Sequence, residues 1–148
     1  MGLPDMGMVR SIARAIYYPL YRTGVRVQCF GHRITDAAFR SERPFPLPPP
    51  DLRFRVAGDP GGDGFVQIGA ETVENLNLCL ASVGYSLESF EAILDFGAGC
   101  GRTLIPISRR LPRARLYAVD TDRDAIEWCR QNLATVESQS NAAQPPLP

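Results

Sequence analysis

The chain has 148 residues, 45% of them hydrophobic and 22% charged, and its 16 basic and 16 acidic residues leave a formal net charge of zero. That length suits one domain able to bury a single core, and the ordinary apolar content excludes wholesale disorder. Every basic side chain is arginine. Seven stand against three acids in residues 1–50 and nine against thirteen in 51–148, without the dense Arg run of a nucleic-acid footprint. Cys29, Cys79, Cys100 and Cys129 form no C-x-x-C pair and have only His32 to help them. This argues against a metal site or a disulfide framework and for a reduced, cytoplasmic protein. No apolar run reaches the roughly 18 residues of a membrane span, and Arg10–Tyr21 lacks the uninterrupted core of a signal peptide.

Val9, Ile12, Ala13, Ile16, Tyr17, Leu20 and Tyr21 have the three-and-four spacing of an amphipathic helix over 9–21, which Pro19 ends or kinks. Packing on the domain or on a partner is the first reading of this stripe. Contact with a membrane surface, through Arg10, Arg14, Arg22 and the tyrosines, is the alternative. Residues 41–51 are rich in proline and read as an extended spacer, so residues 1–51 form a helical and Pro-rich extension to a domain over 52–148. Leu52-Arg53-Phe54-Arg55-Val56 alternates like a half-exposed strand, and 57–64 reads as a mobile Gly-rich turn or lid. The spacing of Val73, Leu76, Cys79, Leu80 and Val83 predicts a helix from about Gly69 to Val83, ended by Gly84, with Ser86 capping a short turn.

Ala92-Ile93-Leu94-Asp95-Phe96 is an apolar run of the kind that forms a parallel strand buried on both faces. It ends in the turn Gly97-Ala98-Gly99-Cys100-Gly101, where glycine lets the main chain approach a ligand closely, and a helix over Arg102–Leu111 follows. Pro106 interrupts that helix's early bonding, and Cys100 is a small residue filling the turn rather than a reactive thiolate. A second strand, Arg115–Val119, leads to Asp120, nineteen residues past Gly101, where α/β nucleotide sites set a carboxylate against ribose hydroxyls. Asp122 caps a helix through Leu133 with Trp128 in the core, 134–140 is a third strand, and a loop runs from Asn141 to Pro148.

A dinucleotide fingerprint would need glycine at position 102 or a small residue at 104, where the chain has Arg102 and Leu104. The pattern Asp95-Phe96-Gly97-Ala98-Gly99-Cys100-Gly101, with Asp120 as a second acid, instead resembles the first two motifs of class I S-adenosylmethionine-dependent methyltransferases, over residues 68–148. The resemblance implies an α/β, partial Rossmann-like fold and a methyltransferase whose cofactor is S-adenosyl-L-methionine. It assigns the Gly97 and Gly99 backbone, with Ala98 and Gly101 in the same turn, to the methionine moiety and Asp95 to its ammonium. Asp120 goes to the ribose, and Thr121 and Asn141 to the adenine. Arg102 pairs either with the methionine carboxylate or with a protein acid.

The catalytic residues and the methyl acceptor are not readable. A full domain of this family has further strands, so the chain is expected to be the cofactor-binding half, inactive by itself, with its first strand an open edge. A non-catalytic binding module and an NAD-dependent oxidoreductase are the competing readings.

Overall fold

A computed structural model describes Ser11 and residues 13–38 and 45–142; Val9 and Ile12 of the expected first helix, residues 41–44 of the proline stretch and 143–148 of the closing loop lie outside the described residues. A π-helical turn, Ala13–Tyr17, leads into α1, Tyr18–Ala38, which runs far past Pro19. Proline has no N–H to give the preceding turn, and the helix accommodates it by widening that turn instead of stopping.

The expected strand over 52–56 is a helix, α2, Pro50–Ala57, with proline at its first position and Gly58 in the left-handed region at its C-cap. Burial decides the matter. Arg53 is 0% exposed, donating to the carbonyls of Pro48 (2.6 Å) and Pro60 (2.8 Å) and to Asp36 Oδ2 (2.7 Å). One guanidinium thus ties α1, the proline segment and the loop after α2 together, as a buried charge must when every donor needs an acceptor. The expected mobile lid is accordingly pinned, with Pro60 buried and the Asp59 side chain accepting from Gly61 N. The line drawn between 51 and 52 falls inside α2.

α3, Gly62–Ala81, begins about two turns earlier than the apolar spacing suggests. Gly84 follows at φ 83°, and Ser86 forms a capping box with Ser89 around the 3-10 turn Leu87–Ser89. From there β1 (Ala92–Phe96), α4 (Leu104–Arg110), β2 (Arg115–Asp120), α5 (Arg123–Asn132) and β3 (Val136–Ser140) alternate, giving a parallel sheet in the order β1-β2-β3. This is the partial Rossmann-like arrangement, α/β throughout. Pro106 falls in the first turn of α4, where an N–H has no helical partner to lose.

Leu116, Ala118 and Val136 from the sheet meet Leu104 and Ile107 of α4, Ile126, Cys129 and Trp128 of α5, Phe65 and Val73 of α3 and Leu52 of α2 in one core. β1 is not buried on both faces as expected. Leu94 and Phe96 are 59% and 79% exposed, and β1 is an edge strand among the described residues.

Candidate functional site

The pleat of the sheet decides where the acids point. β1 and β2 pair with Asp95 beside Ala118, so Asp95, Ala118 and Asp120 share one face of the sheet, since paired parallel residues point the same way and side chains alternate along each strand. Burial raises the Asp95 carboxyl above its usual range, the nearby Asp120 charge raises it further, and Arg102 opposes both. The two acids thus stand at the ends of neighbouring strands, near enough for the charge of Asp120 to raise Asp95, and they frame the mouth above the turn.

Between them runs the turn, with Gly97, Gly99 and Gly101 at φ 83°, 52° and 76°, a conformation that costs other residues strain. The three differ in what lies above them. A Cβ at Gly97 would meet nothing within 4 Å, whereas at Gly99 it would lie 2.5 Å from Val56 Cγ2 and at Gly101 2.7 Å from Leu133 Cδ1. Gly97 is thus the glycine open to a ligand; Gly99 lets α2 seat on the turn and Gly101 lets α5 close behind it. Ala98, Gly99 and Gly101 are buried, whereas Gly97 is exposed.

The turn's amides also face inward. Gly97 N and Ala98 N donate to Val119 O at 2.8 and 3.2 Å, and Gly99 N donates to Asp120 Oδ2 at 2.7 Å. Asp120 Oδ1 accepts from Asp122 N at 2.8 Å, and Thr121 Oγ1 lies 3.5 Å from the same oxygen. One carboxylate therefore holds β2, the glycine turn and the start of α5 together. A carboxylate has about four lone-pair positions, so Asp120 keeps capacity for a ligand hydroxyl. Asp122, not Asp120, is the N-cap, accepting from Ala125 N at 3.2 Å. Asn141 sits at the end of β3 with its N–H on Asp120 O at 2.8 Å, which brings it to the same mouth.

Arg102 packs under α3, where its carbonyl would lie 2.5 Å from a Cβ at Gly69, and its buried Nε has no hydrogen-bond partner among the described residues. Cys100 is fully buried, and burial, with Cys129 beside it, pushes its thiol up to about 12, so it fills the turn as expected. Among the described residues no group of three or more His, Cys, Asp or Glu could hold a metal. A cavity of about 660 Å³ lies between α1, the proline segment and α5, lined in part by Phe45, Pro48 and Trp128.

Sequence reasoning missed the contribution of α2. Val56 covers Gly99, and Arg55 reaches Asp122 at 3.1 Å and Asp124 at 3.3 Å, so this helix braces the turn from above. The signal was present in Pro50, Asp51 and Gly58, a first-turn proline and acid with a glycine just past the end.

Residues 79–144 match the family described as the methyltransferase small domain. A release factor glutamine methyltransferase of Streptomyces coelicolor (strain ATCC BAA-471 / A3(2) / M145) is 29% identical over 58 residues, which is 34% of this chain and 21% of that protein. The chain thus spans about a fifth of the length of the curated relative it matches. No solved structure matches it.

Proposed function

We propose, from the premise that this chain carries the first three strands of a class I methyltransferase fold, that the mouth formed by Asp95, Gly97, Asp120, Thr121 and Asn141 binds S-adenosyl-L-methionine as the donor half of a methyltransferase. The observation that carries the reading is the pair of carboxylates on one sheet face, flanking a glycine turn open at Gly97. The fit is chemical. S-adenosylmethionine brings a cationic ammonium and sulfonium, a ribose with two hydroxyls, and a methyl group made electrophilic by the sulfonium. Asp95, with its ionised form disfavoured while it is unpaired, gains most from an adjacent ammonium. Asp120, already fixed by two backbone N–H groups, offers its remaining lone pairs to the ribose without having to be ordered first. Arg102, whose charge opposes the rise at Asp95 and whose buried Nε has no partner among the described residues, is the candidate to meet the methionine carboxylate. What these residues contribute to transfer is alignment, which matters most for an in-line displacement. The four free cysteines support a reducing compartment, and no described helix is long and apolar enough to cross a membrane.

Calorimetric titration tests the reading. S-adenosylmethionine is expected to bind and NAD not to, and Asp120→Ala should weaken binding by about 2–3 kcal/mol, the loss of a charge-assisted contact. An unchanged dissociation constant in that variant removes Asp120 from the site. Preferential binding of NAD overturns the reading as a whole.

A further inference from the structure

Between α3, α4 and the start of the proline segment lies a small cavity of about 90 Å³. Phe45, Phe65, Val66, Ala70, Ile105 and Pro106 give it apolar walls, and Arg102 and Arg109 complete the lining; among the described residues around it there is no acid. The neighbouring Arg110 shows what an arginine of this helix does with a carboxylate in reach, meeting Glu88 at 2.6 Å and Glu74 at 3.7 Å. The guanidiniums of Arg102 and Arg109 meet no acid and no carbonyl among the described residues.

Both side chains are held at the cavity without a counter-charge. Arg109 lies over the Phe45 ring, 5.3 Å from its centre, a cation–π contact that leaves the N–H edge of the guanidinium free. Arg102 keeps its Nε buried with no acceptor among the described residues, which is destabilising unless something else supplies the bond. Two cations lining one apolar cavity also repel each other more than they would in open water, and an anion between them removes that cost. A guanidinium presents its N–H groups as the fork that a carboxylate fits.

We propose that this cavity takes a small monocarboxylate, its carboxylate between Arg102 and Arg109 and its short apolar stem against Phe65, Val66 and Ile105. Size sets the stem. A water's share of the liquid is about 30 Å³, so the space suits a carboxylate on a stem of roughly two or three carbons and is too small for an adenosyl group. A bare inorganic anion would satisfy the arginines but leave the walls facing water, so the walls select for a stem. A guanidinium carries more N–H groups than one carboxylate accepts, so Arg102 can serve this ligand and the donor together. The site does not rest on the donor-binding reading.

A ¹⁵N amide titration of the whole chain with sodium propionate tests it. Saturable shifts are expected at Val66, Ala70 and Ile105, half complete at low-millimolar propionate, with none there from propionamide, which has the stem and no charge. Arg109→Gln and Ala70→Leu, both at exposed positions and checked for unchanged circular dichroism, should each raise the half-saturation concentration at least about tenfold, the first by removing a cation and the second by narrowing the space. No saturable shift overturns the proposal, as do an equal response to propionamide and a variant of either kind that binds like the wild type. An equal response to inorganic phosphate makes this a site for an adventitious ion only and overturns the carboxylate assignment. Shifts at the same three residues from S-adenosylmethionine that propionate reverses give the cavity to the donor's own carboxylate and overturn a second site. Failure here with Gly97 still responding to S-adenosylmethionine leaves the donor reading standing.

Discussion

The two halves of the molecule hold themselves together by different means. From Ala92 to Ser140 each element is fixed by its neighbour in sequence, through parallel register, a capped helix and a carboxylate bonding to the turn beside it. From Tyr18 to Ala81 the elements meet through contacts distant in sequence: the buried guanidinium of Arg53, the Arg33–Asp51 pair, Tyr21 against Phe54, α2 resting on a glycine of the other half, and Leu52, Phe65 and Val73 packed into the common core. The sheet half is thus local, and the helical half depends on long-range contacts of which Arg53 makes the most polar.

The largest effect is expected at Arg53. Arg53→Ala removes the donor that Asp36 and two carbonyls share at a buried site and should cost about 3–5 kcal/mol in denaturant unfolding. Arg55→Ala, two residues away, loses only partly exposed ion pairs and should cost under about 1 kcal/mol. Equal losses would remove the special place of Arg53. Next come the glycines. Gly99→Ala combines left-handed strain with a contact on Val56 and should cost about 2–4 kcal/mol. Gly97→Ala carries only the strain, about 1–2 kcal/mol, yet should lower donor affinity more relative to its stability cost, because its methyl enters the open mouth.

A smaller effect of opposite sign is expected at Asp95. Its folded-state carboxyl is raised, first by burial, so its ionisation works against folding: the benefit of the protonated form is present at low pH and lost as pH rises through the raised value. Asp95→Asn should therefore raise the melting temperature at neutral pH while weakening S-adenosylmethionine binding. A variant both less stable and unchanged in affinity would contradict the assignment. The smallest effect is one of rate: Cys79, exposed, should be alkylated quickly at pH 8, while Cys100 and Cys129, both pushed up to about 12 chiefly by burial, should react only on unfolding.

The same contrast governs what could be read from the residues alone. β1, β2, α5 and the Asp122 cap were legible because apolar runs, glycines and caps act within a few residues of themselves. Asp95 and Asp120 were legible as a pair because a period of two along neighbouring strands puts both on one face. The helix α2 was not. Leu52-Arg53-Phe54-Arg55-Val56 alternates as a strand does, yet Leu52 and Val56 are also four apart. What selects the helix is the burial of Arg53 against carbonyls seven or fewer residues away and against Asp36, a contact no local period encodes. The different duties of the three glycines were hidden for the same reason, since Val56 and Leu133 arrive from elsewhere in the chain.

The most direct test of the donor-site account is a ¹⁵N amide titration of the chain with S-adenosylmethionine. The account predicts shifts concentrated at Gly97, Asp120, Thr121 and Asn141, with none of comparable size from NAD. Shifts confined to the cavity beside Phe45 and Trp128, or no response at all near Gly97, would contradict it.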